Sequence, residues 1–215
     1  MKIVNNCIEC GLIAGIITAD NVEIRDSSDT QRDELTKLVS ARCNQDFPPE
    51  NIRKSVRNML KKGGFKPSGR NKPASEYLAQ VCNENVFPFI NNLVDINNYF
   101  SLFSGLPISI LDRDITGTNL SLRHGREGEF YVFNRSGQEI SLTGLLCICG
   151  EDEPFGNPVK DSKKAKVTEA TKNIVATIYA PSDTFDFIRI EELCRMFAGK
   201  LTDYAKADST AIMVI

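Results

Sequence analysis

The chain contains one histidine, His124. It has no second Cys-x-x-Cys to partner Cys7-Ile-Glu-Cys10, no internal repeat, and no apolar run near the ~18 residues that cross a bilayer. Each shortage removes a class of protein. One imidazole excludes a multi-histidine metal centre and leaves His124 alone to serve any Ser-His-Asp arrangement. That residue sits in an Arg123-His124-Gly125-Arg126 hairpin, where it is either a surface residue or a proton carrier. The single Cys-x-x-Cys lies far from it in sequence, so neither a metal nor a cofactor is expected. The lack of a spanning segment predicts no membrane association. Asn5, Asn6 and Glu9 interrupt any leader after Met1, so a cytoplasmic protein is expected. The seven cysteines are odd in number and fall mostly in apolar segments (Cys82, Cys147, Cys149, Cys194), the pattern of reduced core thiols.

Acidic residues are also missing from one stretch. Between Asn51 and Ser75 there is no Asp or Glu, while Arg53, Lys54, Arg57, Lys61, Lys62, Lys66, Arg70 and Lys72 all fall there. Net charge is only -2, so the remaining sequence is strongly acidic. Arg53, Arg57 and Lys61 share one helical face, and Gly63-Gly64 ends that helix. The segment is either a solvated helix and loop or a surface for a phosphate backbone. The absence of interspersed carboxylates favours the second. A shorter cluster, Lys160, Lys163, Lys164 and Lys166, is broken by Asp161. Few aromatics interleave with either cluster, which suits a folded, double-helical RNA better than stacked single-stranded bases.

At 215 residues, 41% hydrophobic and 25% charged, the chain can bury a sizeable core. The expected layout is α+β: helices first, an antiparallel-rich β middle and one late helix packed around the sheet. A single domain over 1–215 is expected, with an N-terminal strand and helix region (1–50), a motif-bearing core (51–180) and a C-terminal helix and strand (181–215). Leu12–Ile17 and Val22–Ile24 predict a hairpin about Ala19-Asp20-Asn21. Helices are predicted from Asp29 or Thr30 to Arg42, over Asn51–Lys62, Glu76–Val81 (capped by Ser75), Asn91–Ser104 and Phe185–Lys206. Strands are predicted at Ile108–Leu111, Asn119–Arg123, Glu129–Phe133, Glu139–Leu142, Leu145–Cys149, Asn173–Tyr179 and Ala211–Ile215. Leu93, Ile96, Phe100 and Phe103 form the apolar stripe of the Asn91 helix, and Tyr99, Phe100 and Phe103 are assigned to the core.

The densest information lies in Asn91-Asn92-Leu93-Val94-Asp95-Ile96-Asn97-Asn98-Tyr99, followed by Gly105-Leu106-Pro107 and a strand ending at Asp112. This block resembles the B3/B4 domain of the phenylalanyl-tRNA synthetase beta subunit, with its N-x-x-V-D-x-x-N-Y helix, G-x-P turn and Asp-terminated strand. Leu122-Arg123 and Glu127-Gly128-Glu129 are similar to the family's R-x-x-x-G-E hairpin. Asp161-Ser162, Val167-Thr168 and Thr171 are similar to the segment before its last core strand. Phe65-Lys66-Pro67 and Lys72-Pro73-Ala74-Ser75-Glu76 are similar to free-standing members. The likeness covers about residues 50 to 180, and no synthetase catalytic core accompanies it.

The resemblance implies a domain that binds the 3′ acceptor end of a mischarged tRNA and hydrolyses the aminoacyl ester in trans, or one that only binds tRNA. It places Asn97, Asn98, Pro107, Ser109 and Thr177 in the pocket, with Asp95, Asp112, Glu129, Asp161 and Ser162 as further candidates. Ser109 and Thr177 stand where the family has a histidine and a glutamate. A neutral, hydroxyl-lined pocket would take a smaller or less polar side chain than tyrosine, or no amino acid. An activated ester needs only a positioned water and donors for the oxyanion, and Ser109 has no evident base. Mid-helix asparagines are poor helix formers, for which lining a pocket is one reason. Asp95 could instead cap backbone amides, Asp112 could close an Asx-turn, and Glu129 could hold a hairpin. A small-molecule or amino-acid binding protein on the same fold is the remaining reading.

Overall fold

The structure, a computed structural model, describes residues 1–43, 45–82 and 87–215. The strands are β1 (Lys2–Asn5), β2 (Leu12–Asp20), β3 (Ile108–Asp112), β4 (Asn119–His124), β5 (Phe130–Val132), β6 (Glu139–Ser141), β7 (Leu146–Cys149), β8 (Pro154–Gly156), β9 (Ile174–Pro181) and β10 (Ser209–Val214). The helices are α1 (Asp29–Arg42), α2 (Glu50–Lys61), α3 (Ala74–Cys82), α4 (Asn92–Ser104), the single turn α5 (Arg113–Thr116) and α6 (Phe187–Ala205). One sheet has the order β10-β2-β9-β3 and is antiparallel throughout. The other has the order β1-β4-β7-β8, with β1 and β4 parallel, and β5-β6 is a separate hairpin. The α+β class is as expected, and its sheets are antiparallel-rich.

The first sheet is organised by strand β9, every residue of which is buried between β2 and β3. A strand covered on both faces needs an almost continuous apolar run, and Ile174-Val175-Ala176-Thr177-Ile178-Tyr179-Ala180 supplies one. Helix α6 packs on β2, and α4 packs on both α6 and β3. Phe100 of α4 stacks on Phe197 of α6, with ring centroids 4.9 Å apart. Gly15 makes the approach of α6 to β2 possible. A Cβ built there would lie 2.6 Å from Cys194 Sγ and 2.8 Å from Ile190 Cγ2.

Four local expectations are revised, the simplest being that Ser75 lies inside α3 and does not cap it. Strand β2 runs unbroken to Asp20, and Asn21 ends it at φ 52°. Val22–Ile24 does not pair back as a hairpin. Its amides donate across the fold instead, Val22 N to Lys172 O (2.8 Å) and Glu23 N to Ala205 O (2.7 Å). Phe103 is 42% exposed and stacks on Tyr99, while Leu102 is fully buried. Helix α4 is packed on two sides, and Leu102 meets Leu35 and Cys82 of α1 and α3. A one-stripe reading therefore misplaces its third turn. Helix α1 is capped by Ser28, whose hydroxyl accepts from Gln31 N, and not by Asp29 or Thr30, the two residues expected to cap it.

A second glycine contact sets the basic helix. The chain leaves α2 through Gly63, whose carbonyl oxygen would lie 2.0 Å from a Cβ at Gly144; Gly144 itself holds φ 70°. The end of α2 is thus seated against the β6–β7 connection with no room for a side chain between the backbones.

Replacing Gly15 by valine should destabilise the fold by about 1–3 kcal/mol through overpacking. The measurement is the urea midpoint, which should fall with little change in slope. Gly199→Ala on α6, where a Cβ meets nothing within 4 Å, should not lower it.

Candidate functional site

Two of the four asparagines in the Asn91–Asn98 block serve the fold. Asn91 caps α4 by accepting from Val94 N (2.9 Å). Asn92 is fully buried and donates to Glu23 O (2.8 Å) and Tyr204 O (3.0 Å). The other two face a cavity of about 350 Å³, walled by Tyr77, Leu78, Val81, Ile108 and Lys160. Asn97 Nδ2 donates to Ile108 O at 3.3 Å. Its Oδ1 is buried and has no partner among the described residues. An unmet buried acceptor costs about 1–3 kcal/mol, and a turn of the side chain would bring this oxygen to a donor in the cavity.

Tyr77 and Lys160 also line a second, larger cavity of about 800 Å³, together with Lys66, Arg70 and Phe133. The two cavities therefore adjoin across these residues, and the second is cationic. Phe65 adjoins Lys66 in sequence, whereas Phe133 comes from a part of the chain distant from the cations. Lys72 Nζ lies 4.4 Å from the Tyr77 ring centre, and Lys160 Nζ lies 4.3 Å from that of Phe133. Interleaving of charges and rings along the sequence would find the first of these pairs but not the second, whose members lie 27 residues apart. Burial, then the Arg70 charge, holds the Lys160 ammonium below its ordinary range.

The predicted stripe on α2 is largely spent. Arg53 pairs with Asp46 (2.7 Å) and Arg57 pairs with Glu76 through two contacts (2.7 and 2.5 Å). These carboxylates lie just outside the acid-free segment, which is why the segment looked uncompensated. Lys54, Lys61, Lys62, Lys66 and Arg70 are exposed, and among the described residues none of them makes an ion pair. In the shorter cluster, Lys164 pairs with Glu153 and Lys166 Nζ donates to Phe133 O (2.8 Å).

Ser109 and Thr177 do not share the asparagine cavity. They are direct partners across β3 and β9, each 1% exposed. Side chains alternate along a strand, so Ile108 faces the cavity and Ser109 faces the other side of the sheet. There Ser109 Oγ donates to Asp161 Oδ1 (2.6 Å) and lies 3.1 Å from Tyr179 OH. Asp161 also accepts from Asn157 N (3.2 Å). Asn157 Nδ2 donates to Tyr131 OH, which donates to Lys160 O (2.6 Å). Ser109 thus has a carboxylate partner supplied from a distant loop. Burial pushes the Asp161 carboxyl up to about 6 against the opposing Ser109 hydrogen bond. Burial likewise raises the Tyr131 and Tyr179 phenols well above their ordinary value, so both remain donors. Thr177 Oγ1 is buried with no partner among the described residues. The 157–161 loop separates this cluster from the two cavities: Lys160 lines both, and its carbonyl takes the Tyr131 hydrogen bond.

The B3/4 domain family matches residues 67–196. The chain belongs to the B3/4 domain family. It is 29% identical over 119 residues to the phenylalanine–tRNA ligase beta subunit of Protochlamydia amoebophila, covering 54% of this chain and 14% of that one. It is 40% identical over 108 residues to the same subunit of Bartonella henselae, covering 49% and 13%. The chain thus matches about one-seventh of the length of these relatives. A solved N-terminal fragment of the phenylalanyl-tRNA synthetase beta subunit from Pyrococcus horikoshii aligns with 94% of this chain and 48% of that one, at a TM-score of 0.48 and 10% identity.

The remaining B3/4 motif residues hold the scaffold. Asp95 is buried, accepting from Ser27 Oγ (2.5 Å) and Ile90 N (3.1 Å). Asp112 caps α5 through Asp114 N (3.0 Å) and accepts from Thr171 Oγ1 (2.5 Å). Glu129 takes both Arg123 Nη groups at 2.7 Å and Arg126 N at 2.6 Å, contacts that lower its carboxyl. Ser162 caps the turn at Lys163–Ala165. Pro107 is buried, and its carbonyl receives Tyr179 N (3.1 Å). None of these side chains lines either cavity. Tyr77, Tyr131, Phe133, Asn157 and Tyr179 were not anticipated. Of these, Tyr179 was available from strand alternation, since it lies two residues beyond Thr177.

Asp161 gives a pH signature. Its folded pKa is raised from 3.8 to about 6, so the folded state holds the proton more tightly than the unfolded chain. The resulting stability is fully present below about pH 4 and is lost as pH rises through about 6. Acidifying from pH 7 to 4 should therefore raise wild-type stability relative to Asp161→Asn, as read from denaturant midpoints across that range. A flat difference would remove the assignment.

Proposed function

We propose that this B3/4 domain binds the acylated 3′ end of a tRNA and hydrolyses the ester in trans. The observation that carries this reading is the junction of the two cavities at Tyr77 and Lys160. Lys66, Arg70 and Lys160 meet terminal phosphates, and Tyr77 and Phe133 offer faces on which unpaired bases stack. The aminoacyl group enters the narrower, mostly apolar cavity. There Asn97 Oδ1 takes a hydrogen bond from a donor on the acylated ribose, and a water held among the amides attacks the carbonyl. The names of the curated relatives support a tRNA substrate.

Burial of Ser109 and Thr177 favours a second reading, a binding module without hydrolysis. Their hydroxyls lie behind the 157–161 loop, where a substrate in the asparagine cavity does not touch them.

The test is a panel of correctly and wrongly charged tRNAs, scored for ester loss and for binding at several salt concentrations. Accelerated loss for some member supports hydrolysis. Salt-sensitive binding without it leaves the module. Neither outcome for any tRNA would overturn both. Lys66→Gln, Arg70→Gln and Lys160→Gln together should weaken tRNA binding whatever the amino acid. They should also reduce the slope of log affinity against log salt by roughly one for each phosphate that is no longer neutralised. Asn97→Leu should slow deacylation at least about fivefold, through loss of a hydrogen bond of about 1 kcal/mol or more. It should leave the salt slope unchanged.

A further inference from the structure

Cys7, Cys10 and His124 form a cluster that plays no part in the tRNA reading. The donor atoms of the three residues lie within 4.8 Å of one another, and Cys7 Sγ is 4.0 Å from His124 Nδ1. Cys7 and Cys10 are 1% and 7% exposed, and both are free thiols. We propose that these three side chains are ligands of a zinc-class divalent cation, two sulfurs and one imidazole nitrogen, with the fourth tetrahedral position left to water or an incoming ligand.

The backbone is built for such a clasp. Cys7 precedes a single 3-10 turn, Ile8–Cys10, and Gly11 closes it at φ 78° with its amide on Ile8 O (2.9 Å). This tight reversal brings the two thiols close together, with Cys10 Sγ donating to Cys7 O (2.8 Å) as a free thiol. The third ligand comes from the parallel pairing of β1 with β4, in which Asn5 lies opposite Leu122 and Asn6 N donates to Leu122 O (2.9 Å). Two residues beyond Leu122 is His124, whose opposite edge is packed against Gly63; a Cβ there would lie 2.3 Å from its Cδ2. The ring cannot swing away, and its Nδ1 is the nitrogen presented to the thiols. His124 Nε2 is buried with no partner among the described residues, so the ring's side-chain contact is the one its Nδ1 makes with the Cys7 thiol.

Zn–S distances near 2.3 Å and Zn–N near 2.0 Å imply ligand–ligand edges of roughly 3.5–4 Å in a tetrahedron. The 4.0 Å sulfur–nitrogen separation already has that spacing. Two thiols and an imidazole select a borderline-soft ion over calcium or magnesium. An entry path exists as well: a cavity of about 220 Å³ is lined by Cys10, Gly11, Ser55, Met59 and Lys62. The ion would join the β1–β2 turn to the end of β4 and, through the ring against Gly63, would brace the end of α2.

The test begins with the chelator-treated, thiol-reduced 215-residue chain titrated with cobalt(II). Stoichiometric appearance of tetrahedral ligand-field bands with a thiolate charge-transfer band, displaced by zinc, is the expected result. Cys7→Ser and Cys10→Ser should each lose much of the charge-transfer intensity. His124→Ala should keep part of it but bind at least about tenfold more weakly. Cys43→Ser, remote from the cluster, should titrate as wild type. Zinc should raise the thermal midpoint of wild type and not of Cys10→Ser. Absence of these bands in reduced wild type overturns the proposal without reference to any variant, as would an unchanged spectrum in folded Cys7→Ser. Weak binding equal in wild type and Cys10→Ser would identify an adventitious ion and also overturn it. None of these readouts depends on tRNA.

Discussion

The fold depends on one strand buried on both faces. Strand β9 pairs along its length with β2, and its first five residues, Ile174–Ile178, pair with β3, with every side chain out of solvent. Its two sides therefore have different surroundings. One side receives α4 and α6 and gives the asparagine cavity its floor at Ile108. The other, carrying Thr177 and Tyr179, meets Asp161 and Ser109. A one-residue slip of β3 on β9 would exchange the two sets and place Ser109 beneath the asparagines. Hydrophobic burial on the helical side fixes that register. Replacing Ile108 with a polar residue beneath α4 would forfeit part of the roughly 1.5–3 kcal/mol that a buried aliphatic side chain contributes.

Much of this was legible in the sequence. Helical periodicity located α1, α2, α4 and α6 to within about two residues, and the β-branched run located β9. The motif block around Asn91–Asp112 pointed to the family and to the amides that line the cavity. What escaped shared one physical origin, contact between residues far apart in the chain. Arg53 and Arg57 looked free because Asp46 and Glu76 lie outside the acid-free segment. Ser109 looked baseless because Asp161 reaches it from a loop 52 residues away. His124 looked unrelated to the cysteines because parallel pairing of β1 with β4 cannot be read from local periodicity. The hairpin assigned to Val22–Ile24 failed for the same reason, since its amides found carbonyls on distant segments.

The B3/4 motif residues divide by role. Asp95, Asp112 and Glu129 spend their carboxylates on backbone amides, hydroxyls and an arginine, which fixes the loops around the cavities. Among these residues, and among the described residues as partners, Asn97 keeps an unmet acceptor beside a cavity and Thr177 an unmet hydroxyl inside the sheet. Both exceptions occur where a purely structural account would have satisfied the group. The scaffold residues are therefore the ones whose loss should be felt first in stability, and Asn97 the one whose loss should be felt first in binding.

The meeting of Gly63 with Gly144 has a further consequence. Two backbones in contact, with no side chain between them, leave no soft layer across which the end of α2 could pivot. The exposed lysines on and after that helix are then presented on a stiff mount. A polyanion arriving there would meet charges already held apart at fixed spacing, and little ordering entropy would be charged to the encounter. Discrimination among polyanions would follow from the separation of their own phosphates, since this part of the receiving surface does not adjust to them.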